Sequence, residues 1–147
     1  MLLRFAATLV AACLFCATIA APGAASPAQP AYDIRNDAGG HVVDYGLRVR
    51  QMADQGRQVR FAGRCDSACT LYLALPAEQI CVTPRARFGF HLPFGGGPRG
   101  DHAARTYLLD SYPDWVRHWI DRNGGLTNRL IVMEYAYASR FVEVCDV

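Results

Sequence analysis

Two turns built from small residues, Asp37-Ala38-Gly39-Gly40 and Gly63-Arg64-Cys65-Asp66-Ser67-Ala68, constrain this chain more than any other feature. Each stands between a run that alternates every second residue and a run with helical spacing. Residues 32–36 read as a short strand ahead of the first turn. After it Val42, Tyr45, Val49 and Met52 recur at steps of three and four, one buried stripe of a helix over 41–55 that Gly56 closes. Val59 and Phe61 alternate with Gln58, Arg60 and Ala62, which makes 57–62 a strand, and past the second turn 68–75 reads as an apolar helix halted by Pro76. Strand, helix, strand, helix in that order calls for an α/β fold, a mostly parallel sheet with covering helices. Such folds place ligands beyond the carboxyl ends of their strands, where both turns would lie. Glycine there lets a substrate approach the backbone closely.

The pattern continues with short strands at 80–83 and 87–90, punctuated by Pro84, and a glycine-rich loop over 94–100. Helices follow at 102–111 and 113–123, broken at Pro113, and after Gly124-Gly125 a helix over 127–140 carries Leu130, Met133 and Tyr137 on one side.

At the other end, Arg4 precedes an apolar run over 5–21, and small residues and prolines follow as far as Pro30. This is the order of a secretory signal peptide. Residues 1–25 are therefore read as a signal peptide, 26–31 as a linker and 32–147 as one domain, too short to divide. The apolar run of about 17 residues falls short of the roughly 20 that span a bilayer, so cleavage after Ala20 or Ala25 is expected rather than a stable membrane span. The expected location is periplasmic or secreted, with a lipidated Cys13 as the rival outcome. Fifteen basic residues against 13 acidic ones leave a net charge of +2 with no basic run, which argues against nucleic acid as a partner.

Of six cysteines, Cys13 and Cys16 fall in the signal, leaving Cys65, Cys69, Cys81 and Cys145. Four in an exported domain suggest two disulfides. The expected pairing joins Cys65 to Cys81 and Cys69 to Cys145, tying the second turn to the strand that leads toward His91. A zinc site on Cys65, Cys69, His91 and His102 is the alternative, but no tight CxxC or HxxxH supports it, and no metal is expected.

Ser67 lies where a strand turns into a helix, so its hydroxyl and the amide of Ala68 would face the same space, with the amide placed to stabilise an oxyanion. Gly40 is the natural second donor, and His91, ending a strand at the mouth of a glycine loop, the best-placed base. Together these make a Ser–His acyl-transfer site. Each piece also has a plain structural reading: Ser67 as an N-cap, Gly39-Gly40 as a tight turn, His91 as an inert surface residue. His41, His102 and His118 lack a matching context, and Trp115 and Trp119 are spaced as the apolar face of a helix.

Asp37-Ala38-Gly39-Gly40, a helix, Gly63-x-x-x-Ser67-Ala68, and then Pro84-x-Ala86-Arg87-Phe88-Gly89-Phe90-His91-x-Pro93-x-Gly95-Gly96 resemble the proteolytic subunit of the caseinolytic (Clp) protease, in the family's order and near its spacing. The likeness covers most of residues 32–100. Cys65-Asp66-Ser67-Ala68-Cys69-Thr70 is also similar to the nucleophile loop of exported, cysteine-bearing Clp-like proteins. The resemblance implies an abbreviated Clp/crotonase-like fold with Ser67 as nucleophile, His91 as general base, and Gly40 and Ala68 as the oxyanion-hole amides. It implies no cofactor and a peptide or other acyl substrate. Where the family keeps the aspartate that orients its histidine, this chain has Asn128; Asp110, Asp114 and Asp121 are the alternatives. The family's first strand-helix unit has no counterpart before Asp37, so an edge of the usual sheet is expected to be missing, either in a truncated copy or in one that a homo-oligomer completes. Three functions follow: an exported serine hydrolase, foremost a peptidase; a catalytically inactive Clp-fold binding or scaffold protein in the periplasm; and a crotonase-like acyl-thioester enzyme, which export disfavours because coenzyme A thioesters are cytoplasmic.

Overall fold

The computed structural model describes residues 29–146. The segment read as a signal peptide, and the first part of the linker, lie outside the described residues.

The scaffold is a mixed but mostly parallel six-stranded sheet. Its centre is β2 (Val59–Asp66), which carries β1 (Tyr32–Asp37) along one edge. The opposite edge is shared end to end by β3 (Ile80–Val82), opposite Val59 to Phe61, and β4 (Arg87–Phe90), opposite Arg64 to Asp66. The interruption between β3 and β4 falls at Pro84, as the sequence suggests. Outside them lie β5 (Ile131–Glu134), antiparallel to β4, and β6 (Glu143–Val144), parallel to β3.

Alternation decides which face is covered. Val59, Phe61, Cys65, Phe88, Phe90 and Met133 point to one side and are buried among the helices, with Phe90 packed edge-on against Tyr112 at 5.7 Å. That side is closed by α1 (Val42–Asp54), the 3-10 helix Ser67–Ala74, α2 (Gly97–Ser111) and α3 (Asp114–Arg122). The stripe expected on α1 is present: Tyr45 and Met52 are buried, and Val42 and Val49 pack against the core. Arg60, Ala62, Arg64, Arg87 and Val132 point to the other side, where Val132 is exposed.

Four expectations need correction. The second strand does not stop at Ala62; β2 continues through Gly63–Asp66, which pairs with both β1 and β4, so the turn is confined to Asp66-Ser67. Gly63 makes this extension feasible, because a Cβ there would lie 2.0 Å from the Arg35 carbonyl oxygen. The helix after Ser67 is 3-10, and the Ser67 carbonyl is taken by the Thr70 hydroxyl at 2.6 Å, a side-chain bond that competes with the backbone ladder. The glycine-rich loop is shorter than expected: α2 begins at Gly97 with Pro98 in its first turn, where the missing N–H costs nothing, and the Asp101 carboxylate accepts from the Gly96 amide at 2.8 Å. Finally, no helix spans 127–140. Ile131-Val132-Met133-Glu134 is β5, drawn into extended form by its β-branched pair and by pairing with β4, and only Tyr135–Ala138 (α4) is helical.

Two disulfides are present, but not in the expected pairing: Cys65 joins Cys69, and Cys81 joins Cys145. Strand register is the reason. Cys81 sits opposite Arg60, five positions along β2 from Cys65 and on the reverse face, whereas β6 lies against β3 and delivers Cys145 to Cys81 with Cα atoms 5.0 Å apart.

Candidate functional site

β2 and β4 run side by side with Asp66 opposite Gly89, so Ser67 and His91 leave the carboxyl ends of neighbouring parallel strands. Ser67 is the only non-glycine residue among those described with a positive φ, +56°. An L-residue held there costs on the order of 1–2 kcal/mol. Three features hold it. The Cys65–Cys69 bridge spans it, Thr70 donates to its carbonyl, and the buried Tyr112 hydroxyl meets Thr70 Oγ1 at 2.5 Å. Since the Thr70 proton already goes to a carbonyl, Tyr112 is the donor in that pair. Burial pushes the Tyr112 phenol well above its ordinary range, which keeps it protonated for this role.

Ser67 does not cap its helix. The residue in the N-cap position is Asp66, no side chain there makes a capping hydrogen bond, and Ser67 Oγ makes no hydrogen bond among the described residues. Asp66 is instead buried beside Gly89 with its carboxylate 3.3 Å from Arg64 Nε. Gly89 is required by this contact, because a Cβ would lie 2.3 Å from Asp66 Oδ1.

The first glycine turn meets the second directly. Gly39 has φ +81°, and a Cβ on it would stand 2.6 Å from Ser67 Cβ and 2.9 Å from the Ala68 nitrogen. Any side chain would therefore fill the space before the Ala68 amide. Asp37 fixes the turn, accepting from the Gly39 amide at 2.8 Å and the Tyr45 hydroxyl at 2.6 Å. Burial first, and then that hydrogen bond to Asp37, pushes the Tyr45 phenol far above its usual range. Gly40, next in the chain, is exposed, with only the Tyr45 ring near the position of a Cβ.

His91 is half-buried and its Nδ1 lies 2.7 Å from the Leu92 carbonyl oxygen. A carbonyl only accepts, so Nδ1 carries a proton, and in the neutral ring Nε2 is then the nitrogen with the lone pair. Among the described residues no hydrogen bond joins His91 to Ser67. Asn128 lies on an exposed turn next to Thr127, whose carbonyl accepts from the Leu92 amide at 2.8 Å. Its backbone thus runs beside His91, but its side chain makes no hydrogen bond to the ring. Asp114 is engaged by Arg117 on α3, and Asp110 and Asp121 are exposed on helices. The contacts that sequence reasoning missed are the Leu92 carbonyl, Thr70, Tyr112 and Asp37. Of these only Asp37, ahead of two glycines, carried a local signal, that of an aspartate-initiated turn.

Among the described residues all four cysteines are disulfide-bonded, so none of them offers a thiolate to a metal, and no cluster of three or more potential ligands occurs there. The bridges fit an oxidising compartment. Among the described residues no helix is long and apolar enough to cross a membrane.

No protein-family model and no curated protein matches the sequence. Among solved structures the chain is similar to a point mutant of ClpP1 from Listeria monocytogenes, with a TM-score of 0.52 at 22% identity over 76% of this chain and 68% of that one. At this identity the likeness establishes the fold alone, a Clp-like α/β fold with a mostly parallel sheet and helices.

Proposed function

We propose that the chain is an exported serine hydrolase of Clp type that cleaves peptide bonds, with Ser67 as nucleophile and His91 as its base. The observation that carries the reading is the left-handed backbone of Ser67, held by a disulfide and a buried hydroxyl pair while its own hydroxyl has no partner among the described residues. Strain maintained at such expense, on a residue that caps nothing, is accounted for by presenting Oγ to a substrate. In the reaction His91 Nε2 takes the Ser67 proton as Oγ attacks the acyl carbon. The amides of Ala68 and Gly40 receive the oxyanion, and His91 returns the proton to the leaving amine. Water then releases the acyl group by the same steps in reverse. No cofactor takes part.

At Nδ1 the Leu92 carbonyl stands where a carboxylate would otherwise be. A carbonyl orients the ring but offers only a dipole to the imidazolium, so turnover is expected to be slow. That same feature favours a second reading, a Clp-fold binding protein that keeps the pocket without turnover. A fluorophosphonate probe decides between them. Labelling of the folded protein that disappears in Ser67→Ala and His91→Ala, with melting temperature retained, supports the hydrolase, and an unlabelled wild type with an intact fold supports the binding protein. N-terminal sequencing of exported material tests the signal peptide, with a mature start between Ala21 and Ser26 expected.

A further inference from the structure

The sequence scatters its arginines, but the fold gathers several of them. On the sheet face that the helices leave open, a groove of about 590 Å³ is lined by Arg35, Arg64, Arg85 and Arg87, with Glu134 as its one carboxylate and Ala62-Gly63 as its floor. Arg64 and Arg87 are directly opposite each other on β2 and β4. Like charges in that relation destabilise a sheet, so folding alone does not explain the pair. The counter-charges are incomplete. Arg35 is engaged by Asp33 at 2.8 Å and Arg64 lies 3.3 Å from Asp66, but Arg85 and Arg87 make no ion pair among the described residues. Both are exposed.

The groove shares β4 with the candidate site: its lining ends at Arg87, and Gly89, packed against Asp66 and Leu130, lies between it and His91. Along β4 the residues on its face are Arg87 and Gly89, and the next position in the alternation is His91. His91 stands four positions beyond Arg87, about 13 Å at the rise of a strand. From these placements we infer that the groove selects substrates by charge: it binds the carboxylate side chains of an acidic peptide whose scissile carbonyl, three to four residues away, lies at Ser67. The inference rests on the acyl-transfer reading of Ser67 and His91 and adds a substrate class to it. Planar guanidinium forks suit carboxylates, and two of the four have no competing carboxylate among the described residues.

The test uses the disulfide-bonded Ser67→Ala protein and two dye-labelled octapeptides, one carrying a Glu-Glu pair and its twin carrying Gln-Gln, with affinity read by fluorescence anisotropy. The acidic peptide should bind at least tenfold more tightly than its twin, and more weakly as salt is raised. Arg85→Gln and Arg87→Gln should each remove about tenfold of that preference, as expected for loss of a charge-assisted hydrogen bond. The His91 ring proton resonances should shift when the acidic peptide binds. Equal binding of the twins, a preference that survives both arginine substitutions, or binding that leaves the His91 resonances unmoved would overturn the inference. Fluorophosphonate labelling reads the hydrolase proposal separately: acidic-peptide binding with the expected arginine dependence but no labelling of wild type would sink the hydrolase while leaving the groove's preference standing.

Discussion

Removing the Cys65–Cys69 bridge should separate the strain at Ser67 from the stability of the fold. Both cysteines are completely buried, so alanine is the substitution that adds no unsatisfied polar group. The bridged residues are four positions apart, and closing so short a loop is worth about 2 kcal/mol in the chain-entropy model. Two lost sulfur atoms remove roughly 1 kcal/mol each of buried contact. Against this, Ser67 is freed to relax toward negative φ and recovers on the order of 1–2 kcal/mol. The net expectation for Cys65→Ala/Cys69→Ala is a loss of roughly 2–3 kcal/mol. The control is Cys81→Ala/Cys145→Ala, whose partners are 64 positions apart, for which the same model gives about 4 kcal/mol. Urea unfolding measures the stabilities, and fluorophosphonate labelling of fully folded protein measures Ser67 presentation. The less destabilising pair should lose most of the labelling rate, while the more destabilising pair keeps it. Wild-type labelling in Cys65→Ala/Cys69→Ala would refute the argument that the bridge holds Ser67 in its reactive geometry.

Thr70→Val leaves the Tyr112 hydroxyl buried without a partner and should cost about 2–3 kcal/mol, whereas Thr70→Val/Tyr112→Phe removes both polar groups and should recover much of that loss; thermal unfolding of the two variants decides it. Tyr72 is pushed up to about 12, chiefly by burial and next by its neighbour Tyr32, and Tyr45 and Tyr112 are pushed higher still. Their folded values exceed the unfolded one near 10, so this contribution is complete below about pH 10 and is lost as pH rises toward 12 and beyond. Denaturation midpoints should therefore be insensitive to these tyrosines at pH 7–9 and fall steeply above 10, less steeply in Tyr45→Phe. Asn128→Ala should lower labelling by less than about tenfold, because the Leu92 carbonyl already fixes the His91 tautomer; abolished labelling would make Asn128 the true orienter.

What the sequence disclosed was the part of the fold encoded by local pattern. The α1 stripe, the first glycine turn, the break at Pro113 and the pause at Pro84 all rest on neighbours within a few residues. Long-range register was hidden. Nothing local in Ile131–Glu134 announces that the free edge of β4 is waiting for it, and a Leu130/Met133/Tyr137 spacing suits a helix equally well. The disulfides failed in the same way. The sequence suggests Cys65 and Cys81 as partners because both lead toward the site, yet pairing of β2 with β3 places Cys81 beside Arg60. Cys145 could be assigned only once β6 was known to lie against β3.

The site divides along the same line. Ser67, His91, Ala68 and the two glycines are residue types with a chemical signature, which is why the proposed acyl-transfer roles could be assigned from the sequence. The groups that hold them have none: a leucine carbonyl on His91, a threonine hydroxyl on the Ser67 carbonyl, and a tyrosine from 42 positions away behind it. A backbone carbonyl can be supplied by any residue, so no substitution pattern at Leu92 would reveal its role. Ser67 shows the converse. Its sequence context equally allows an N-cap, and only the sign of φ together with the absent capping bond separates the two readings. A capping serine stabilises by the hydrogen bond it makes, and this one costs stability by the conformation it keeps. Ser67→Gly, which keeps access to positive φ without the Cβ penalty, should therefore leave stability near wild type or slightly above it while ending all labelling. A capping serine would also tolerate glycine, losing a few tenths of a kcal/mol, so the deciding comparison is Ser67→Ala against wild type: alanine carries the same positive-φ penalty as serine and should match wild type, whereas loss of a cap would cost about 1 kcal/mol.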